Sequence, residues 1–450
     1  MEQSRETFGS QIGFIFAAAG SAIGLGNIWR FPYLVGMYGG AAFLVVYLAI
    51  VLIVGVVCFI AEVSFGRHTR QSNVGAFKSV NKAWAPAGLI GILAGFMILS
   101  FYSVVGGWAI RYFFQAFAGY SFADPAASAD FFGAFVSSPL APVIYHGLFM
   151  GATIYIVYNG IQDGIEKYSN IMMPALFVLI LILTVRSLTL PGAHEGLEFY
   201  LKPDFSRITG EVLLAALGQV FFTLSLGMGS ILTYGSYLGK DDNIPYVSTV
   251  VPLMDTLIAF LAGLIIFPAV FAYGFQPDQG GGLAFVTLPA VFDAMPAGNL
   301  FGGAFFFLLV LAALTSAISL LEPVAAYMIE EYGWTRNKAV LIMGTIIFVV
   351  GIGASLSQGV WSHITFFGDN FFDFLDNTSG NILLPVSGLV TAIFVAWVWG
   401  SDNALREATN DGAIKFAWGN LWANVLIKYV APILITVVFL SSIGIIPVGI

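Results

Sequence analysis

The sequence predicts an all-α membrane protein that crosses the bilayer many times. Of its 450 residues, 58% are hydrophobic and 9% are charged, and the mean hydropathy is +0.90. A soluble domain carries about 25% charged residues, so this composition excludes one. Apolar runs long enough to cross a membrane recur along the chain, and two of them are interrupted by glycines. We therefore expect one membrane domain over residues 1–450, with discontinuous helices 1 and 6.

Eleven apolar segments have the length that a bilayer requires, which is about 20 residues. In chain order they are 11–37, 41–66, 87–118, 140–158, 165–186, 211–237, 246–274, 300–329, 338–356, 371–399 and 419–446. Lysine and arginine concentrate in the loops on one side, and that side is normally cytoplasmic. We expect the N-terminus in the cytoplasm and, because eleven is odd, the C-terminus outside.

The first segment is broken in its middle, at GSAIGLGNIWRFP, residues 20–32. Its three glycines weaken the helix. Asn27 and Arg30 then place an amide and a full charge at membrane depth. Non-helical backbone at this depth is tolerated where it is buried in protein or lines a wet cavity. The free carbonyl groups of such a break can coordinate a small cation or hold a polar ligand.

The sixth segment is broken in a similar way, at GQVFFTLSLGMGSILTY, residues 218–234. Thr223 and Ser225 form its polar centre, and Gly227 and Gly229 follow. Paired broken helices in corresponding positions of two halves indicate a transporter binding site.

The five-segment spacing of the two breaks predicts a 5+5 inverted repeat. The first half is residues 11–186, with helices 1–5, and the second is residues 211–399, with helices 6–10. Helix 11, residues 419–446, is an addition to this plan.

Several other function classes are not indicated. The single cysteine, Cys58, excludes an internal disulfide and a cysteine metal cluster. No nucleotide-binding loop is present, so ATP-driven transport is not expected. The four histidines lack metal-ligand spacing, and no nucleophile stands beside a base, so we do not expect an enzyme. We expect no nucleic-acid partner either. The first apolar segment has no small-residue cleavage site, and we predict no removable signal peptide.

The two breaks resemble signatures of the neurotransmitter:sodium symporters. AIGLGNIWRFPYL (22–34), followed by the glycine pair 39–40, is similar to the first-segment signature, and FFTLSLGMG (221–229) to the sixth-segment signature. Glu62 and Gly66 also match. The resemblance covers nearly the whole chain and implies the leucine-transporter fold and sodium-driven uptake of amino acids or related amines by alternating access. Eleven segments rather than twelve fit a bacterial member in the inner (plasma) membrane.

The resemblance implies two sodium ions. The first is expected at the Ala22 carbonyl, the Asn27 amide, the Thr223 hydroxyl and carbonyl, and the Asp255 side chain. The second is expected at the carbonyls of Gly20, Ile23 and Ala312 and the hydroxyls of Thr315 and Ser316. These positions offer only oxygen, as a hard cation prefers. Without the resemblance, hydroxyls such as Thr315 and Ser316 more often bond to a neighbouring helix or their own backbone.

The resemblance also implies a substrate pocket between the two breaks. Its expected residues are Ala22, Gly24, Leu25, Gly26, Ile98, Tyr102, Phe222, Thr223, Ser225, Met228, Ser316 and Leu320. Backbone amides near residues 22–26 and the Tyr102 hydroxyl would hold a carboxylate, and carbonyls around Phe222 and Ser225 an ammonium group.

Intramembrane charges are costly and usually paired, so they suggest gates. By resemblance, Arg30 and Asp376 form the extracellular gate, and Arg5 and Glu330 the intracellular gate. Glu322 leaves two interpretations open: a protonated acid near the second sodium position, or a charge that faces the cytoplasmic vestibule.

The fifth segment contains a Gly-x9-Pro pattern from Gly164 to Pro174 that also occurs in the family. Proline removes a helical hydrogen bond and clashes with the preceding turn. We predict that this stretch unwinds and lets water reach the second sodium position; a static kink is the alternative.

Position 255 suggests chloride independence. Many relatives carry asparagine where this chain has Asp255. A fixed carboxylate would supply the negative charge that chloride brings in other members and would repel the anion.

We expect a broad sodium-coupled symporter for neutral hydrophobic L-amino acids, because the inferred walls are apolar and hold no charge. An aromatic-selective carrier is the nearest alternative, and a channel or a membrane enzyme are remoter ones. The preferred amino acid, the stoichiometry and the oligomeric state are left open by the sequence.

Overall fold

The predicted helical membrane architecture is present. The protein was analysed as a computed structural model that describes residues 6–120, 122, 125–277 and 282–446. Nine helices in this part are long and apolar enough to span a membrane. They are Ala41–Thr69, Lys82–Ala118, Ala141–Tyr158, Ile161–Leu188, Ile244–Ala272, Gly298–Tyr332, Arg336–Leu356, Phe371–Ala408 and Gly419–Ser442. We call them segments 2, 3, 4, 5, 7, 8, 9, 10 and 11.

Segment 1 consists of two helices, Gln11–Ala22 and Gly26–Met37, which meet at an angle of 46°. The first helix ends because Ile23 is extended, with φ −77° and ψ 101°. Segment 6 consists of Gly210–Thr223 and Ser230–Gly235. With these two broken segments, the fold has the eleven predicted spans.

Short elements connect the spans. The connecting helices are Asn73–Val80, Pro125–Ser137, Ala193–Leu201 and Leu283–Ala294, with a single 3-10 turn at Phe205–Arg207. Strands Thr365–Phe366 and Asp369–Asn370 pair antiparallel before segment 10.

Segments 3 and 8 form the centre of the described part. In each of these segments, 78% of the most apolar 18-residue stretch is buried inside the protein, whereas the corresponding share in segment 11 is 17%. Segment 8 packs against the first helix of segment 1, and Tyr102 of segment 3 bonds to the break at Leu25. The residues of both breaks are buried, whereas segment 11 lies at the periphery. This places irregular backbone only where protein surrounds it.

Candidate functional site

A small cavity lies between the two broken segments. It is lined by Ser21, Ala22, Gly24, Gly26, Ile98, Tyr102, Phe222, Thr223, Ser225, Met228, Ser316 and Leu320. The structure therefore brings together every predicted pocket residue except Leu25, and it adds Ser21. Segments 1, 3, 6 and 8 each contribute to the lining.

Tyr102 anchors the break of segment 1 at one end of the cavity. The Leu25 N–H donates to the Tyr102 hydroxyl at 2.9 Å, which explains why Leu25 contacts the site without lining it. Gly24 has no space for a side chain, since an added Cβ would lie 2.3 Å from Ser316 Oγ and 2.4 Å from Tyr102 Oη. The glycine thus allows backbone polar groups to approach the tyrosine closely.

Ser225 joins the two breaks directly. Its backbone is left-handed, with φ 54°, and its hydroxyl donates to the Ser21 carbonyl at 2.8 Å. The Ser21 hydroxyl in turn donates to Ser319 Oγ at 2.7 Å. Sequence reasoning missed Ser21, although a hydroxyl inside the broken stretch was an available signal.

Five groups predicted for the second sodium position converge between segments 1 and 8. Ser316 Oγ lies 3.1 Å from the Gly20 carbonyl oxygen and 3.3 Å from that of Ile23. Thr315 Oγ1 lies 3.0 Å from the Ala312 carbonyl oxygen and 3.5 Å from that of Ile23.

The two hydroxyls also make the local bonds of the alternative interpretation, since Thr315 Oγ1 donates to the Leu311 carbonyl at 3.1 Å. The carbonyl oxygens of the segment 1 break still lie beside the two hydroxyls when this local bond is made. A group of neutral oxygens at a helix break is the donor set that a sodium ion prefers, so the residues fit this ion.

Asp255 lies at the centre of the predicted first sodium position, and its side chain is fully buried. One carboxylate oxygen accepts from Asn27 Nδ2 at 2.7 Å and from Thr223 Oγ1 at 3.0 Å. The other accepts from the Tyr47 hydroxyl at 3.2 Å. Asn27 Oδ1 accepts from the Gly24 N–H at 2.9 Å, so the same residue also braces the segment 1 break.

Asp255 forms no ion pair with any lysine, arginine or histidine in the described ranges. Buried charges are ordinarily paired or bound to a metal ion. Three neutral donors orient the carboxylate without balancing its charge. A monovalent cation beside Asp255, Asn27 and Thr223 would supply that balance, so these residues also fit sodium.

Comparison with known proteins decides the family. The profile described as the sodium:neurotransmitter symporter family matches residues 5–123 and 144–448. The chain belongs to this family. It is a sodium-coupled, multi-pass membrane transporter for a small-molecule substrate.

Relatives of this symporter span nearly its whole length. It is 41% identical over 99% of both chains to the uncharacterized sodium-dependent transporter YhdH of Bacillus subtilis. An uncharacterized sodium-dependent transporter of Haemophilus influenzae is 37% identical over 98% of both chains. The crystal structure of MhsT in complex with L-phenylalanine has a TM-score of 0.90 and 45% identity, and the match covers 98% of this chain and 100% of that one.

The predicted outer-gate residues of the symporter lie near each other but form no ion pair within 4.0 Å. A Cβ added to Gly380 would lie 3.8 Å from both Arg30 Nη1 and Asp376 Oδ1. The Arg30 guanidinium carbon lies 4.7 Å from the centre of the Phe222 ring, which lines the cavity. The arginine thus covers the cavity through a cation–π contact.

Of the two residues of the predicted inner gate, Glu330 is described, whereas Arg5 lies outside the described residues. Glu330 Oε2 accepts from the Ser72 N–H at 2.6 Å, just before the helix Asn73–Val80. A carboxylate at this position stabilises a helix N-terminus.

Glu322 has a partner that the sequence did not suggest. Its fully buried carboxylate forms a two-point ion pair with Arg336, at 2.8 and 2.9 Å, and accepts from the Tyr237 hydroxyl at 2.6 Å. Glu322 is therefore tied to the start of segment 9, which neither sequence interpretation included.

Gly164 and Pro174 both lie in the helical segment 5, and the predicted unwinding stays a prediction. Between them, Glu166 accepts from the Gly9 N–H at 2.7 Å and from Ser10 Oγ at 3.1 Å. Ser10 caps the first helix through the Gly13 N–H at 3.0 Å. The stretch that we expect to unwind is thus attached to the start of segment 1.

Proposed function

We propose that this symporter takes up neutral hydrophobic L-amino acids into a bacterial cell across the inner membrane, driven by sodium. The observation that carries the proposal is the composition of the cavity wall. Backbone and hydroxyl groups of the two breaks line the cavity together with the apolar side chains of Ile98, Phe222, Met228 and Leu320. None of the lining side chains is charged.

The polar and the apolar lining groups suit the two parts of such a substrate. Backbone amides near residues 22–26 and the Tyr102 hydroxyl would hold the carboxylate, and carbonyl groups around Phe222 and Ser225 would hold the ammonium group. The apolar walls would then enclose the side chain. A concave site that is mainly apolar and holds a few convergent polar groups is the usual form of a small-molecule site.

A charged substrate side chain would be excluded by these walls. An unpaired charge transferred into an apolar cavity loses far more hydration energy than it regains. Lysine, arginine, aspartate and glutamate should therefore be rejected. A methylene more or less changes binding in an apolar pocket by only about 1–3 kcal/mol, which favours a broad range of neutral substrates.

We propose two sodium ions and no chloride. The oxygen clusters around Asp255 and around Ser316 would hold one ion each. Asp255 and its Tyr47 and Thr223 donors occupy the region where other members use chloride, and its charge would replace that of the anion. Sodium and substrate alone would then neutralise the site before it closes.

Alternating access is proposed to arise from two inverted halves, residues 11–186 and 211–399. The breaks in segments 1 and 6 occupy corresponding positions of these halves, which supports the proposal. We propose a cytoplasmic N-terminus and an external C-terminus. Rocking of the broken segments would expose the cavity to one side at a time.

An aromatic-selective carrier is the second candidate. Phe222 in the cavity wall and the L-phenylalanine complex of MhsT favour it. The two candidates differ in whether leucine and valine are carried.

Purified symporter in proteoliposomes tests the proposal. Radiolabelled leucine should accumulate above its external concentration when sodium is outside, and not when potassium replaces sodium. Replacement of chloride by gluconate should leave the rate unchanged. Downhill flux alone would indicate a channel, and competition by aromatic amino acids only would support the narrower carrier.

A further inference from the structure

Lys428 is a cation on the lipid-facing edge of the fold. Its Nζ lies 4.8 Å from the centre of the Trp397 ring, and Trp397 Nε1 donates to the Lys428 carbonyl at 3.2 Å. In the part of the chain that the structure describes, no carboxylate lies within 4.0 Å of Nζ. A lysine on a membrane-spanning helix is costly unless it is paired or reaches the headgroup region, so its counter-charge is a functional question.

The depth of Lys428 follows from its partner on segment 10. The helical backbone is interrupted at Gly400, with φ 99° and ψ 127°, and the following helix, Ser401–Ala408, carries several charged residues. The inner boundary of the apolar region therefore lies near Gly400. Trp397 is three residues before it, at the level where tryptophan is enriched in membrane proteins. Because Trp397 bonds to Lys428, the lysine lies at the same level.

The surroundings of Lys428 present aromatic rings and an amide to the lipid. Trp397 and Tyr429 are 54% and 48% exposed, and their rings are 5.6 Å apart. Asn424 lies one helical turn closer to the cytoplasm, is exposed, and donates to the Asn420 carbonyl at 3.0 Å. An asparagine amide has two N–H groups, so a second donor is available beside the lysine.

We propose that Lys428, Asn424 and Trp397 form a binding site for the phosphate of an acidic phospholipid in the cytoplasmic leaflet. The phosphate would supply the counter-charge that the protein lacks here, through a charge-assisted hydrogen bond from Nζ and one from the Asn424 amide. The two rings would pack against the glycerol region of the same lipid. The assignment to the cytoplasmic leaflet rests on the proposed orientation of the chain; the site itself does not.

An acidic lipid fits better than a zwitterionic one. A cationic side chain near an anionic membrane surface contributes about 1 kcal/mol, and a phosphatidylcholine headgroup cancels that attraction with its own ammonium group. Lys428 is also the group that distinguishes this site from the rest of segment 11, whose other lipid-facing side chains are mainly apolar.

Native mass spectrometry of the full chain tests the site. The protein is equilibrated in micelles that contain phosphatidylglycerol or, separately, phosphatidylcholine, and the fraction that retains a lipid is measured. We expect Lys428→Gln to lower the apparent affinity for phosphatidylglycerol about fivefold, the factor that corresponds to about 1 kcal/mol. Lys428→Arg should retain the affinity. Lys82→Gln is the control, because Lys82 is an exposed lysine at the end of segment 3.

The proposal is overturned if Lys428→Gln and Lys82→Gln retain phosphatidylglycerol equally well. The wild-type protein provides a second test that needs no variant. Its retention of phosphatidylglycerol should exceed that of phosphatidylcholine and should fall as salt is raised, since salt screens exposed charges. Equal retention of both lipids, or retention that is independent of salt, would also refute the site. Neither measurement depends on the transported substrate, so failure here leaves the proposed uptake function untouched.

Discussion

Glu322 and Arg336 form a two-point ion pair that joins the C-terminal part of segment 8 to the start of segment 9. The nitrogen–oxygen distances are 2.8 and 2.9 Å, and the arginine also contacts Glu6 Oε1 at 3.2 Å. The Glu322 side chain is fully buried, and that of Arg336 is 15% exposed. A parallel pair of this kind fixes both side chains in one orientation. Arg336 thus connects Glu6, near the N-terminus, to the Glu322 carboxylate of segment 8.

Removal of one partner of this pair should be costly. We expect Arg336→Gln to lower the free energy of unfolding by about 3–5 kcal/mol, because it leaves a buried carboxylate without its cation. The double variant Glu322→Gln with Arg336→Gln should recover part of the loss. Thermal unfolding in detergent measures both, and Lys338→Gln, two residues away on the exposed surface, serves as the control. Equal stability of Arg336→Gln and the control would contradict this role.

The outer gate should respond to the charge of Asp376. Opposite charges a few ångströms apart attract by a few kcal/mol at an effective dielectric near 20, before the cost of desolvation. We expect Asp376→Asn to weaken closure over Phe222 and to lower uptake, and a simultaneous exchange of the charges of Arg30 and Asp376 to restore part of it. Initial uptake rates in proteoliposomes give the comparison. Asp204→Asn, in an exposed loop, is a suitable control, and unchanged uptake by Asp376→Asn would count against the gate.

Chloride dependence should appear when the charge of Asp255 is removed. The wild-type rate is expected to be the same in chloride and in gluconate. In Asp255→Asn, uptake should fall by tenfold or more in gluconate, since about 1.4 kcal/mol of lost charge balance corresponds to tenfold, and chloride should restore part of it. A strict chloride requirement in the wild-type protein would refute the assignment.

Unwinding of segment 5 should depend on Pro174. We expect Pro174→Ala to slow transport several-fold while equilibrium binding of substrate changes little, because alanine restores a helical hydrogen bond that opposes unwinding. Glu166→Ala should alter the same step, since its carboxylate attaches this stretch to Gly9 and Ser10. Uptake rates and binding are measured in parallel. Pro432→Ala, in the outer half of segment 11, removes a helical proline far from the cavity, and an equal slowing there would remove the special role of Pro174.

The sequence predicted those parts of the site that are carried by local chain breaks. Gly24, Tyr102 and Ser316 were placed correctly in one cavity, because a glycine-broken apolar segment is recognisable within a few residues and the two breaks face each other in this fold. The span boundaries followed from the apolar runs for a similar reason.

Other relationships depend on tertiary packing and left no local signal. Arg336 stands at a segment end, where a snorkelling side chain is the ordinary expectation, and only the fold shows that it reaches Glu322. In the sequence, Glu166 is a polar residue at the start of a span. In the structure it packs against Gly13, where an added Cβ would lie 1.9 Å from Glu166 Oε1. The predicted pair Arg30 and Asp376 was placed in one region, but the arginine contacts Phe222 instead.

Met228 should set the breadth of the substrate range. Its side chain lines the cavity and is flexible, so it can adapt to side chains of different shape. Met228→Phe would place a rigid ring in this small cavity. Because overpacking costs about 1–3 kcal/mol, we expect tryptophan affinity to fall about tenfold while leucine affinity changes less than threefold. Competition of leucine and tryptophan for one labelled substrate measures both values, and Met254→Phe, on segment 7 outside the cavity lining, is the control. If leucine at high excess does not displace tryptophan from the wild-type protein, the broad-range proposal is wrong. If Met228→Phe leaves both affinities unchanged, the role proposed for Met228 is wrong.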